Sequence, residues 1–590
     1  MRSFMMQQAQ AVLRAEKFTG LQSHASGKEI GASATLRNLR RMPDGSLARR
    51  EAIRPIATLP WALRGAASTR DAMGRRVIYA VAGRYIYAIC EQEDGGDVTT
   101  QIGTLQSEAG EVSFFVLDGE MLLMDGNGMY ALSPHEAGEV MAYLPLYGKE
   151  WTADGEHPVY QPRNVLTDQV CIRYRMTMQT GTLKLWITPL SIDAVCRNGV
   201  LCDPSEYTHN IYADTLTFSK ITTVDEIIDV VMTLPQEEGA APMREDFYRC
   251  RCAVRPVEVG KTVALFGGGN EPGVLYLTEQ IDPEDRERCR AFGSRARMLY
   301  LRADGRRELG DGAQDVKAMV RHYDRTLIMT DAGTWTTDGE RLLSGDPSRT
   351  FLAVNSTLGC SCYGGALTVG NHPISLCGGD VLEWNADTDT LDECNAESIA
   401  DAVRAMLPTI PGERGGIYYD KVADEVWLYG VGAKDALIWQ RRDRSFTTYR
   451  FGSLPLAGVF DAKGVTGLLA GGTVYLCDGD AACDLDADGG LLPIDCLAVT
   501  HRFALGTEGR LLRPYEGMIC VDAEEGQEID VTLTAADGRQ AVIRFAATGE
   551  SPCELVHRIL LGRCRHAVMA VRCACVGRFT LRAIAVAAGA

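Results

Sequence analysis

Short apolar runs separated by turn residues cover most of the chain. One unit recurs, in which two apolar strands are joined by a turn with Asp or Gly and are followed by a second glycine turn and an aromatic residue. Ser113–Tyr130 and Ala318–Trp335 are two examples. Because such strands cannot bury both faces alone, they must stack on their neighbours. The pattern predicts an all-β fold with little helix, either a β-propeller or, alternatively, a set of unrelated β-sandwiches.

Two stretches depart from this rhythm. Strands become longer and more widely spaced after residue 146, and a regular alternation of apolar and polar positions begins near residue 493. We therefore predict a propeller that is interrupted by an inserted β-rich domain and followed by a C-terminal strand-rich region. The predicted divisions are an N-terminal arm at 1–60, the first part of the propeller at 61–145, the inserted domain at 146–285, the second part of the propeller at 286–492, and the C-terminal region at 493–590.

Helical periodicity is scarce. It predicts short helices at Phe4–Lys17, Val224–Met232 and Ala396–Met406. No run of about 18 apolar residues is present, so we expect no membrane-spanning helix. Glutamines stand near the N-terminus where a secretory signal needs apolar residues, so we expect no export signal either.

Charge and cysteine content narrow the choice of function. The chain has 590 residues, of which 46% are apolar and 23% charged, as in an ordinary globular protein. It carries 60 Lys and Arg against 78 Asp and Glu, a formal net charge of −18. A protein that grips nucleic-acid phosphates needs a cationic face, so this balance argues against stable nucleic-acid binding. The 19 scattered cysteines predict reduced thiols in a cytoplasmic compartment.

One acidic loop has the spacing of a calcium site. Asp484, Asp486 and Asp488 occupy positions one, three and five of the loop, Gly489 occupies position six, and Asp495 occupies position twelve. Hard cations bind several oxygens, so these four aspartates are the candidate metal ligands and calcium is the candidate ion. The last position carries Asp rather than the longer Glu, and no flanking helices are evident. A solvated acidic turn between two strands is the alternative interpretation.

Cysteines occur in closely spaced pairs. Cys-x-Cys pairs are found at residues 250 and 252, 360 and 362, and 573 and 575. Structural zinc sites usually use Cys-x-x-Cys instead. Because side chains two residues apart on a strand share a face, we interpret these pairs as small apolar side chains in a core.

The predicted arm is basic within an acidic protein. Such a group can dock on an acidic neighbour, although a solvated strand face is an equally simple interpretation. The arginines concerned are Arg37, Arg40, Arg41, Arg49 and Arg50.

Several short motifs follow one another in a characteristic order. They are Phe18-Thr19-Gly20-Leu21, Asn164-Val165-Leu166-Thr167, Phe266–Asn270, Gly379–Trp384 and Val474–Asp478. Together they resemble the packaged-DNA stabilisation proteins, which are propeller proteins at the head–tail junction and tail nozzle of tailed phages and prophages. The resemblance spans most of the chain.

This resemblance implies a non-enzymatic structural protein of the virion, made and assembled in the bacterial cytoplasm. Copies would form a homo-oligomeric ring that retains or conducts packaged DNA and contacts adjacent connector or tail proteins. An acidic surface lets phosphates slide past, so contact with DNA would be transient and non-specific, and no membrane partner is expected. Because propellers host many functions, two alternatives stay open: a propeller-fold glycan-active enzyme and a bacterial protein-interaction scaffold.

Overall fold

The structure is a computed structural model, and its described residues lie mostly in β-strands. Those residues are 11–22, 30–117, 120–139, 146–147, 164–166, 169–178, 180–185, 188–220, 226–235, 241–254, 262–279, 300–343, 347–385, 391–392, 394–411, 414–505 and 511–589. All structural statements below concern these ranges.

Seven units of four antiparallel strands form the body of the described chain, and we call them blades 1 to 7. Six of them are separate sheets, and blade 6 is part of an 11-stranded sheet. Blade 1 contains Leu63–Arg70, Arg76–Ala82, Tyr85–Glu91 and Asp97–Thr104. Blade 2 contains Ser113–Leu117, Glu120–Met124, Met129–Leu132 and Ala137–Glu139. Blade 3 contains Cys252–Val254, Thr262–Gly267, Val274–Glu279 and Arg306–Glu308. Blade 4 contains Val316–His322, Arg325–Thr330, Thr334–Thr337 and Leu352–Asn355. Blade 5 contains Ala366–Val369, His372–Cys377, Asp380–Trp384 and Ala396–Ser398. Blade 6 contains Gly415–Asp420, Glu425–Gly430, Asp435–Gln440 and Ser445–Arg450. Blade 7 contains Leu456–Asp461, Thr466–Ala470, Thr473–Asp478 and Ala52–Thr58.

Each blade packs on the next through its own hydrophobic cluster. A further cluster joins blade 7 to blade 1, where Val474 and Leu476 meet Ile78 and Ala80. Because both faces of a blade are covered, its middle strands are apolar at nearly every position, as in Arg76–Ala82. This cyclic packing is the arrangement of a β-propeller.

The N-terminal segment contributes a strand to the body. The fourth strand of blade 7, Ala52–Thr58, comes from the predicted N-terminal arm and pairs antiparallel with Thr473–Asp478. The arm is therefore part of blade 7 and, as described next, of two further sheets. It is not the separate unit that the sequence predicts.

The remainder of the arm and the C-terminal region form two further sheets, which we call the terminal sandwich. The first contains Ala11–Ala15, Leu39–Arg41, Leu47–Arg49, Arg513–Ala523, Cys553–Arg558 and Phe579–Gly589. The second contains Gly20–Leu21, Ala32–Arg37, Ile494–Thr500, Phe503–Ala504, Glu528–Ala535, Gln540–Ala546 and His566–Cys575, and it continues into blade 6. Two short strands, Asp484–Leu485 and Leu491–Leu492, pair with each other, and the first lies against Ala52–Thr58 of blade 7.

An inserted β-rich domain separates blades 2 and 3. One of its sheets contains Leu146–Tyr147, Gln169–Met178, Ser191–Arg197, Val200–Leu201 and Glu226–Pro235, and the other contains Thr182–Lys184, Tyr207–Asn210 and Thr215–Phe218. The all-β prediction, with an inserted domain and a C-terminal strand-rich region, is confirmed. The predicted end of the insert at 285 falls inside blade 3, whose first strand begins at Cys252.

Helix is scarce, as predicted, but the predicted positions are wrong. Residues 1–10 lie outside the described ranges, and Ala11–Ala15 is a strand. Val224–Met232 overlaps the strand Glu226–Pro235, in which β-branched residues favour extended backbone. Ala396–Met406 divides into a strand and a 3₁₀ turn at Arg404–Met406.

The described helical segments are the α-helices Ala241–Tyr248, Gly339–Leu343 and Pro347–Thr350 and the 3₁₀ turns Pro204–Glu206, Ala303–Gly305 and Arg404–Met406. Each is short. Among the described residues, none of these helices has the length and apolar character to cross a membrane.

Candidate functional site

The N-terminal arginines bind acidic residues of their own chain. Arg37 lies 2.5 Å from Asp495 in the terminal sandwich. Arg41 forms an ion pair with Asp443, next to blade 6. These contacts hold the arm in place and correct the interpretation of its arginines as a free surface for an acidic neighbour.

Arg50 makes the most deeply buried of these contacts. Its guanidinium donates to both carboxylate oxygens of Asp484, at 2.9 and 2.6 Å, and both side chains are almost fully buried. The backbone N–H of Ile53 donates to the same carboxylate, and the guanidinium lies 4.2 Å from the ring centre of Phe451. A bidentate, desolvated pair of this kind is costly to break because one charge would stay buried without its partner.

Three of the four predicted calcium ligands, Asp484, Asp486 and Asp495, make other contacts. Asp484 binds Arg50, and Asp495 accepts from both Arg37 and Arg572. Asp486 closes the loop by accepting from the backbone N–H of Asp488. Within the described ranges, no group of three or more His, Cys, Asp or Glu side chains is arranged to hold a metal ion. The loop is a hydrogen-bonded acidic turn, and we do not carry the calcium site forward.

Glu425 is a buried carboxyl between blade 6 and the arm. The hydroxyl of Tyr449 donates to it at 3.0 Å and the amide of Gln440 at 3.3 Å, while Arg40 lies 3.6 Å away. Burial raises the pKa of Glu425 to about 7, although Arg40 opposes the shift. Such tuning suits a general acid. The adjoining cavity measures only about 10 Å³, room for roughly one water molecule, so no substrate fits beside this carboxyl.

A far larger cavity, of about 800 Å³, lies where the blades converge. Residues in or directly before the first strand of all seven blades line it, including Leu63, Phe114, Lys317, Gly415 and Val459. We call it the central cavity. Propellers commonly bind ligands at such a position, because loops from every blade meet there.

The wall of the central cavity carries paired charges. Arg414 lies 3.1 Å from Glu111, and Arg251 lies 3.9 Å from the same carboxylate. The ring of Tyr363 is flanked by two cations, with Arg251 at 4.4 Å and Lys317 at 4.1 Å from its centre. These residues come from separate blades, so no local spacing in the sequence singles them out. Together they form a polar wall suited to anionic or polyhydroxylated ligands.

The inserted domain exposes apolar side chains. Val200 and Leu201 form the edge strand of its larger sheet and are 71% and 66% exposed. Ile227 is 43% exposed. Its carbonyl oxygen accepts from the backbone N–H of Asn198, and its own N–H donates to the side-chain oxygen of Asn198. We call Val200, Leu201 and Ile227 the insert edge. An exposed apolar edge strand is a ready site for pairing with another chain.

Comparison with known proteins assigns no family to the chain. No family model and no curated protein matches it. Apo AztD from Citrobacter koseri is similar over 66% of this chain and 87% of its own, at 9% identity and a TM-score of 0.30. A chain in the crystal structure of BBS1N in complex with ARL6DN matches over 73% of this chain and 98% of its own length, at 7% identity and a TM-score of 0.33. An exo-β-1,3-galactanase from Phanerochaete chrysosporium with galactose covers 91% of this chain and 100% of its own, at 7% identity and a TM-score of 0.23. These TM-scores are too low to carry an argument about function.

Proposed function

We propose that the protein is a non-enzymatic structural protein of a tailed-phage or prophage virion. Its copies would form part of a head–tail connector or tail-nozzle ring that retains or conducts packaged DNA. The order of the sequence motifs suggests this role, and one structural observation supports an assembling protein: the insert edge presents Val200 and Leu201 to solvent on a strand without an outer neighbour among the described residues.

The ion pairs of the arm arginines support the choice of the insert edge as the assembly surface. Arg37, Arg41 and Arg50 already bind carboxylates of the same chain, so their charges are not available to a neighbouring subunit. The apolar surface that a partner would cover lies on the inserted domain instead. Burying such side chains contributes about 25 cal/mol for each Å² removed from water.

The test is the mass and shape of the purified full-length protein at increasing concentration, by mass photometry and negative-stain microscopy. We expect rings for the wild type and monomers for a Val200→Asp, Leu201→Asp double variant. Val542→Asp is the matched control, because Val542 is a valine 64% exposed on the edge strand of another sheet. Monomers of the wild type at every concentration would overturn the ring, and rings of the double variant would overturn the choice of surface.

The central cavity favours one alternative, a propeller-fold glycan-active enzyme. Arg251, Arg414 and Glu111 converge there and are partly exposed to a ligand. A panel of aryl glycosides distinguishes the two functions. Our proposal predicts no turnover by the wild type, whereas turnover that Glu111→Gln abolishes would replace the structural role with an enzymatic one.

A further inference from the structure

One of the Cys-x-Cys pairs lies at the central cavity. Cys360 and Cys362 stand directly before the first strand of blade 5, where the chain bends. Cys362 lines the cavity, together with Ser361 and Tyr363. Cys360 lies behind it and is 1% exposed. A small molecule in the cavity therefore meets the sulfur of Cys362 first.

The two sulfurs lie close together. A Cβ on Gly365 would stand 2.9 Å from the sulfur of Cys360 and closer still to that of Cys362. Gly365 also donates its backbone N–H to the carbonyl oxygen of Cys362 at 3.0 Å, which closes the turn. Only glycine leaves room for both sulfurs at this point, so the turn itself brings the two thiols together.

The surroundings favour a thiolate on Cys362. The thiol of Cys360 donates to the backbone carbonyl oxygen of Cys362 at 3.2 Å. Its sulfur also lies within hydrogen-bond reach of the sulfur of Cys362, and this contact lowers the pKa of Cys362 even though burial opposes the change. The backbone N–H of Gly415 and the charge of Lys317 act in the same direction. The same contact between the two sulfurs, together with burial, raises the pKa of Cys360. One sulfur is thus prepared to attack and the other keeps its proton until later.

The remaining pairs differ in position and in pKa rather than in the distance between thiols. Cys573 and Cys575 lie on the strand His566–Cys575, away from the central cavity, and the thiol of Cys575 lies within hydrogen-bond reach of Cys573 and Cys496. Burial raises the pKa of Cys575 and raises that of Cys252 to about 12. These thiols have the core role that we expected from the sequence.

We propose that Cys360 and Cys362 are a redox-active dithiol, which a peroxide entering the central cavity converts into an intramolecular disulfide. The thiolate of Cys362 attacks one oxygen of hydrogen peroxide, the O–O bond breaks, and hydroxide leaves, so that Cys362 becomes a sulfenic acid. The sulfur of Cys360 then attacks that of Cys362. The S–S bond forms, the S–O bond breaks, and the proton of Cys360 leaves with the departing oxygen as water. The hydroxide takes up the proton that Cys362 released on becoming a thiolate, so overall two thiols are oxidised to a disulfide and one peroxide is reduced to two waters.

The experiment follows both kinds of pair in the full-length protein. The native protein is treated with hydrogen peroxide, quenched in denaturant with a maleimide, and digested for mass spectrometry. A chymotryptic peptide that begins after Phe351 and ends at Tyr363 contains Cys360 and Cys362 and no other cysteine, and the tryptic peptide Cys573–Arg578 contains only the control pair. We expect the first peptide to lose two hydrogens and bind no maleimide, while the control peptide binds two maleimides. Two maleimides on the first peptide, or equal oxidation of both, would overturn the proposal.

Variants separate the two roles. Cys360→Ser removes the second thiol, so Cys362 should remain as a sulfenic acid that dimedone traps. Cys362→Ser should leave the thiol of Cys360 unoxidised under the same treatment. Dimedone labelling of residue 360 in the Cys362→Ser protein would contradict the assignment of Cys362 as the attacking group. The wild-type peptides decide the main point even where a variant fails to fold.

Discussion

The N-terminal segment and the inserted domain place their conspicuous side chains in opposite environments. In the segment from Arg37 to Arg50, the arginines bind carboxylates of the propeller and the terminal sandwich. In the inserted domain, Val200 and Leu201 stay exposed on an edge strand. A cluster of like charges in a sequence thus need not be a docking surface, since those charges can form ion pairs within the same chain. The surface left for a partner is the apolar one.

The largest effect is expected from breaking the buried pair. Arg50→Met leaves Asp484 as an unpaired buried charge, so the free energy of unfolding should fall by about 3–5 kcal/mol. The control is Arg544→Met, because Arg544 pairs with Asp530 at the surface and is 65% exposed. In urea unfolding, Arg544→Met should change the free energy of unfolding far less than Arg50→Met does, because solvent screens an exposed ion pair. Equal losses in both variants would mean that the arm is not anchored as described.

A second effect depends on pH and on the arm's contact with Glu425. The pKa of this carboxyl is raised from its usual 4.5 to about 7, so the folded protein holds a proton that the unfolded chain releases between these values. The contribution of protonated Glu425 to the free energy of unfolding is therefore fully present below about pH 4.5, and it is lost as the pH rises through about 7. At pH 8 the wild-type protein must bury an ionised carboxylate, whereas glutamine is neutral at every pH. Relative to the wild type, Glu425→Gln should therefore be more stable at pH 8 than at pH 5 by about 2 kcal/mol. Parallel pH–stability curves for variant and wild type would contradict this.

A smaller effect distinguishes ion pairs from metal binding. Asp495 accepts from Arg37 and Arg572 and is 32% exposed, so Asp495→Asn should lower the unfolding free energy by about 1 kcal/mol. Melting temperatures of the wild type should be the same in chelator and in millimolar calcium. A calcium-dependent rise that Asp495→Asn abolishes would restore the sequence-based calcium site.

The smallest effect is expected at the insert edge. Leu201→Ser should change the free energy of unfolding of the monomer by no more than about 0.5 kcal/mol, since the side chain is already in water. Leu216 is the control, because it belongs to the same domain and is fully buried. Leu216→Ala should cost about 2–5 kcal/mol. A large loss with Leu201→Ser would show that this surface is covered within the chain.

The strands were predictable because apolar runs and glycine turns are local signals. The failures were local patterns with more than one solution. Val224–Met232 has helical spacing, yet its β-branched residues pair across a sheet with Gln169–Met178. The aspartates from 484 to 495 have the spacing of a calcium site, yet the first, Asp484, binds Arg50 and the last, Asp495, binds Arg37. Both arginines lie more than 400 residues earlier in the chain.

The candidate sites depend on contacts that no local window contains. The central cavity is lined by residues from all seven blades, so Arg251 and Arg414 meet Glu111 only in the folded chain. Cys360 and Cys362 belong to hydrophobic clusters, as the pattern of the sequence predicts, but their position at the central cavity is not predicted by that pattern. The glycines at 364 and 365 were the overlooked signal, because they make the turn that bends this pair away from a strand.

The most direct test of the contrast between arm and insert is hydrogen–deuterium exchange of the assembled ring against the monomeric Val200→Asp, Leu201→Asp variant. We expect slower exchange in the ring for the strands Ser191–Arg197, Val200–Leu201 and Glu226–Pro235, and unchanged exchange for Ala32–Arg37 and Ala52–Thr58. Protection that appears in the two arm strands and not in the inserted domain would contradict the account.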